Sequence, residues 1–154
     1  MTAPAVEVWR LRPATEQAMR AAQLAALVAA ADVGEGNACV RIYRTARGSG
    51  MGLQLADLMV EVPLDKPCGT LQADGTLALN VASSAVAGAM VLLSGIPRTG
   101  ELVAGDGTVL LDGGVTDAEH GGCFQVTGGA TPVGDDSPQF YAGGLLSLAG
   151  AVLG

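Results

Sequence analysis

Ala73-Asp74-Gly75-Thr76-Leu77-Ala78-Leu79-Asn80-Val81-Ala82, residues 73–82, is the stretch on which the reading of the fold turns. Asp-Gly supplies the two residues that most readily adopt the backbone of a tight hairpin turn. Behind it Leu77, Leu79 and Val81 alternate with Thr76, Ala78 and Asn80, the period-two pattern of a strand with one face inward. The same turn signal returns at Gly105-Asp106-Gly107-Thr108, so two hairpins are predicted. Around them, everything beyond Gly34 consists of short apolar runs separated by Gly, Asp, Asn and Pro, the texture of an antiparallel sandwich or barrel. Strands are predicted over 38–44, 53–62, 76–82, 89–94, 108–111, 123–127 and 145–153. The run 53–62 changes parity: Leu53 and Leu55 share one face, whereas Leu58, Val60 and Val62 share the other. A bulge or break is therefore predicted near Ala56-Asp57. The polar, Gly-rich stretches 44–52 and 127–138 lack periodicity and are predicted to be exposed loops.

Ahead of the strands, Val6-Glu7-Val8-Trp9-Arg10-Leu11-Arg12 reads as a short strand or an extended arm that Pro13 ends. A helix is predicted over 15–32, with Thr15 as N-cap, Glu16 in the first turn and Gly34 as the stop signal. Its Leu24, Leu27, Val28 and Ala31 recur at spacings of three and four and form one apolar stripe.

Composition limits what such a chain can be. At 154 residues it holds one domain, and a 49% hydrophobic, 15% charged composition excludes a disordered tail. Aromatics are only 3% of the residues, so the core must be filled by Leu, Val and Ala and is predicted to be thin, with support from neighbouring molecules. The net charge of −7 is uneven: residues 1–77 carry seven basic and eight acidic groups, residues 78–154 one basic and seven acidic. An acidic protein whose only basic cluster is Arg41, Arg44 and Arg47 is not expected to bind nucleic acid. No basic region followed by an apolar run is visible at the N-terminus, and the longest low-charge stretch, 21–31, is too short to span a bilayer. The expectation is a soluble protein, intracellular in origin and without a membrane partner.

Candidate chemistry is sparse. Cys39, Cys68 and Cys123 are odd in number and include no close pair, so neither a disulfide framework nor a zinc site is expected; they read as small buried hydrophobes. His120, near Cys123 and flanked by Asp117 and Glu119, is the best catalytic candidate, because a thiol needs a base and the base needs an orienting carboxylate. Nucleophile and base this close on a Gly-rich turn seldom hold the required geometry, and a solvated turn is the favoured reading. Asp106, Asp112, Asp117, Asp135 and Asp136 do not follow a calcium-loop pattern, and Gly48-Ser49-Gly50-Met51-Gly52 lacks the Lys that would grip a phosphate. No metal and no cofactor is expected.

The order of an Ala-rich helix, a turn at Gly34-Glu35-Gly36-Asn37 and the strand Cys39-Val40-Arg41-Ile42-Tyr43-Arg44 resembles small virion proteins of tailed bacteriophages and prophages. Asp106-Gly107-Thr108-Val109-Leu110-Leu111-Asp112-Gly113 looks like a hairpin of those proteins, and Ala142-Gly143-Gly144-Leu145-Leu146-Ser147-Leu148 resembles their C-terminal strand. The likeness runs in order along most of the chain. It departs at Arg44-Thr45-Ala46-Arg47, where a Thr-Gly turn is usual, and at an additional loop, Gly95-Ile96-Pro97-Arg98-Thr99-Gly100.

The resemblance implies head decoration or cementing of an icosahedral capsid, often on a jelly-roll-like sandwich, and less often a neck, tail or baseplate role. It transfers no catalytic residue. The expectation is thus a single mainly β domain, 1–154: an arm or strand at 1–12, one N-terminal α-helix at 15–32, and an antiparallel, jelly-roll-like β-sandwich at 38–154. The expected partners are the major capsid protein and copies of the chain itself. Val6, Val8, Trp9, Arg10, Arg41, Arg44 and Arg47 are the expected contacts, at a capsid surface, for a protein made in the host bacterial cytoplasm. A small thiol-dependent hydrolase using Cys123 and His120 is the alternative from another class.

Overall fold

The computed structural model describes residues 10–46, 55–149 and 152–153. Among them stand one α-helix, α1 (Pro13–Ala31), and nine strands: β1 (Cys39–Tyr43), β2 (Leu58–Leu71), β3 (Leu77–Val81), β4 (Ala89–Met90), β5 (Thr99–Val103), β6 (Val109–Asp117), β7 (Phe124–Thr127), β8 (Leu145–Leu148) and β9 (Val152–Leu153). The described residues are mainly β with one α-helix. The strands lie in the order β4-β8-β7-β6-β5-β1-β2-β3-β9, and the sheet curls into a half-barrel.

Two observations explain the curl. The Leu92 amide, just past β4, donates to the Met59 carbonyl of β2 at 2.7 Å, although β4 and β2 are far apart in the strand order. Residues 149–151 alone separate β8, the neighbour of edge strand β4, from edge strand β9, so the end of β8 and the start of β9 lie within about 14 Å, the reach of so short a segment.

The pairing is mixed, which corrects the purely antiparallel expectation. β6 and β7 run parallel, with Val115, Thr116 and Asp117 opposite Phe124, Gln125 and Val126. Parallel neighbours normally need a crossover of a dozen or more residues. Here residues 118–123 suffice, because the chain doubles back along the end of β6 and re-enters beside it. Thr116 holds the return: its hydroxyl donates to the His120 carbonyl at 2.8 Å and accepts the Gly122 amide at 3.0 Å. A side chain on Gly122 would strike that hydroxyl.

Both Asp-Gly turns occur where predicted, joining β2 to β3 and β5 to β6. Asp74 accepts the Thr76 amide and Asp106 the Thr108 amide, each at 3.0 Å. Other boundaries move. Leu55–Asp57 form a 3-10 turn at the predicted break, and β2 then continues past 62 to Leu71. The segment 89–94 is a strand only at Ala89–Met90, and 145–153 divides into β8 and β9. The strand 108–111 extends to Asp117. β5, where no strand was predicted and whose first two residues fall in the loop expected at 95–100, lies mid-sheet with every residue buried.

Helix α1 starts at Pro13 rather than at an N-cap Thr15: Arg12 occupies the cap position without a side-chain bond, and proline is suited to the first helical position. Its stripe is as predicted, with Leu24, Leu27 and Val28 packed on the core and Ala31 fully buried. Gly34 follows with φ 91°, a conformation costly to residues bearing a Cβ. The Asp32 carboxylate accepts the Cys68 amide at 3.1 and 3.2 Å, and the Ala31 carbonyl accepts the Gly105 amide at 2.9 Å. The helix end is thereby fixed to β2 and to the β5–β6 turn. The core inside the curl is built on Val40, Ile42, Val60, Val62, Leu102, Val115, Phe124, Val126, Phe140 and Leu146.

Candidate functional site

The structure joins the predicted acid and base directly. His120 Nδ1 lies 2.7 Å from Asp117 Oδ1, so the carboxylate orients the ring as a catalytic base would require. The same carboxylate accepts the Thr131 hydroxyl on Oδ2 at 2.7 Å and, on Oδ1, the amides of Glu119 and His120 at 3.0 and 3.1 Å. These donors, the Thr131 hydroxyl foremost and His120 next, pull the Asp117 pKa down to about 2. The Asp117 bond in turn raises that of His120.

Cys123 lies over β6: a methyl group on Gly113 would collide with its Cβ and Sγ. It is exposed, unlike the buried Cys39 and Cys68, which corrects the expectation of three core cysteines. Burial is the main cause that pushes both Cys39 and Cys68 up to about 11, so those thiols stay protonated.

A shallow hollow beside His120 is walled by Arg98, Gly134, Asp135 and Asp136. Its guanidinium is engaged: Arg98 donates twice to Asp135, at 2.8 and 2.9 Å, and approaches Asp136 at 3.8 Å. The Arg98 bonds hold the Asp135 carboxyl well below the usual carboxylate range. The 128–138 loop, expected to be simply exposed, is anchored by this pair and by buried Ser137, whose hydroxyl donates to the Pro97 carbonyl at 2.7 Å. Among the described residues no group of three or more His, Cys, Asp or Glu side chains is arranged to hold a metal ion.

The predicted contact residues fall into two sets. Val6, Val8, Trp9 and Arg47 lie outside the described residues. Arg10 is exposed, Arg44 donates to Asp57 at 2.9 Å, and Arg41 lies 3.5 Å from Glu61. Strand register puts Arg41 between Glu61 and Glu101, with Asp112 opposite Glu101, so one cross-strand row of the sheet carries alternating and then repeated charge. Tyr43, two residues along, donates to Glu101 at 3.2 Å. Burial, with the Glu101 carboxylate next, raises the Tyr43 pKa.

The surface that sequence reasoning missed is the β4–β8 edge. Met90 pairs with Leu145 across the two strands, and both side chains are exposed, at 59% and 53%. Leu92 follows on the same side of the chain, and Tyr141 is exposed on the returning segment, where the Gly143 amide bonds the Val91 carbonyl at 2.8 Å. The alternate residues Val91 and Leu146 are buried, so the edge is apolar on both faces. A groove of about 720 Å³ runs beside it, lined by Gly129, Ala130, Pro132, Phe140, Tyr141 and Leu145 among others. The apolar run 89–94 was read as a strand, of which Ala89–Met90 is one, but nothing local showed that its second face would stay uncovered.

Among the described residues, no helix is long and apolar enough to cross a membrane. The chain matches no family model, no curated protein and no solved structure.

Proposed function

We propose that this protein is a non-enzymatic structural component of a tailed-bacteriophage virion, one that decorates and stabilises the capsid through contacts with the major capsid protein and with copies of itself. The observation that carries the reading is the uncharged edge formed by Met90, Leu92, Tyr141 and Leu145. Copies of a chain with a net charge of −7 repel one another over most of their surface, and an uncharged apolar edge is where a second copy can approach without that penalty. The sequence resemblance to small virion proteins points the same way. A jelly-roll-like sandwich is the finer description of the fold that belongs with this reading.

The mechanism is mechanical. Many modest contacts per copy, repeated over a symmetric shell, act together, and dissociation requires several to break at once. No cofactor takes part. The site of action is the capsid surface, after synthesis in the bacterial cytoplasm.

Purified particles stripped of this protein test the reading. They are expected to lose resistance to heat and osmotic shock, and labelled protein is expected over the whole head. Unchanged particles count against decoration, and a label confined to one vertex or to the tail assigns the protein to the neck, tail or baseplate instead.

A further inference from the structure

The return loop 118–123 and the loop 128–138 meet at one carboxylate. Asp117 Oδ1 takes the His120 ring, 2.7 Å away, and Oδ2 takes the Thr131 hydroxyl at the same distance. The Asp117 amide donates to the Asp136 carbonyl at 2.8 Å, adding a backbone tie from the end of β6 to the 128–138 loop. The chain contains a single His, the residue type whose charge ordinarily changes near neutrality.

The charged groups facing that ring come from every neighbouring element. They are Asp117 on β6, Glu119 in the return loop, Asp135 and Asp136 in the 128–138 loop, and Arg98 just before β5. Arg98 is held by Asp135 through two hydrogen bonds, so carboxylate dominates the surroundings of the ring.

We propose that His120 is a protonation-controlled latch between the return loop and the 128–138 loop, tight when the imidazole is charged and looser when it is neutral. The neutral ring can keep one N–H on Asp117, so the bond survives without its charge and the change is a graded loosening. The direction follows from linkage. The folded-state pKa of His120 lies above its ordinary 6.5, so the extra hold is complete below that value and is lost as pH rises through the raised one.

Gly129, Ala130 and Pro132 line the groove beside Tyr141 and Leu145, so the latch tunes the shape of the apolar edge. The inference rests on the loop geometry and stands whether or not the virion reading holds.

Amide hydrogen exchange on the full chain tests it, between about pH 5.5 and 8.5 and corrected for intrinsic exchange rates. Protection at Glu119, His120 and Gly122 is expected to fall about two- to fivefold with rising pH, the scale of an exposed ion pair. In His120→Asn the same amides are expected to show no such step. A pH-independent profile in the unsubstituted protein, or an equal fall in His120→Asn, overturns the proposal. A ring titration by NMR needs no variant: a His120 midpoint at or below the ordinary 6.5 also overturns it.

Discussion

The ring of Phe124 occupies the space in which a Gly100 side chain would stand: a methyl group at Gly100 would fall 2.6 Å from Cδ2 and 3.0 Å from Cε2 and Cγ. Phe124 is buried and belongs to the core cluster, so the ring has little room to retreat. Gly100→Ala is expected to destabilise the protein by about 1–3 kcal/mol, the usual cost of overpacking. Gly114, on neighbouring β6, meets nothing within 4 Å, and Gly114→Ala is expected to be neutral or mildly stabilising. Denaturant midpoints of the two variants check the contrast, and equal effects would show that the ring does not determine it.

Asp32 joins the helix to the sheet through its two contacts with the Cys68 amide. Asp32→Ala leaves that amide without its acceptor and is expected to cost about 1–3 kcal/mol, whereas Asp32→Asn retains a carbonyl and is expected to cost less. Thermal unfolding followed by circular dichroism distinguishes them. If both substitutions were silent, the helix would not depend on this clamp.

Acid is expected to weaken the protein through Asp117 and Asp135, whose folded-state pKa values are both lowered. Groups lowered on folding contribute stability that is present above their ordinary value of 3.8 and is lost as pH falls below it. For Asp117 that loss runs from 3.8 to about 2. Urea midpoints measured against pH should fall across this window, and Asp117→Asn should flatten part of the slope. A variant with the parent's acid limb would refute the assignment.

The β4–β8 edge predicts self-association. Leu92→Glu combined with Leu145→Glu is expected to shift the sedimentation profile towards monomer without changing the melting temperature, because both side chains are more than half exposed in the single chain. An unaltered profile would remove this edge from consideration as the contact between copies.

Much of the local structure was legible from residue order. The spacing of Leu24, Leu27, Val28 and Ala31 located the helix face, and the parity change before Leu58 located the 3-10 turn. β5 was not legible, because Thr99-Gly100-Glu101-Leu102-Val103 lacks a clean alternation. It is buried on both sides, so no contrast between an inner and an outer face is imposed on it. His120 and Asp117 were recognised as neighbours, but their link to Thr131 was not, since that contact crosses to a separate loop.

Residue order alone determined where the chain bends and which face of most elements turns inward, because periodicity and Asp-Gly turn chemistry act over a few residues. Tertiary structure decided which strands became neighbours, that β7 re-entered parallel to β6, and that the outer side of Met90, Leu92 and Leu145 stayed uncovered. Those outcomes depend on packing between segments far apart in the chain, and a run of apolar residues carries the same local signal whether its second face meets a strand or water.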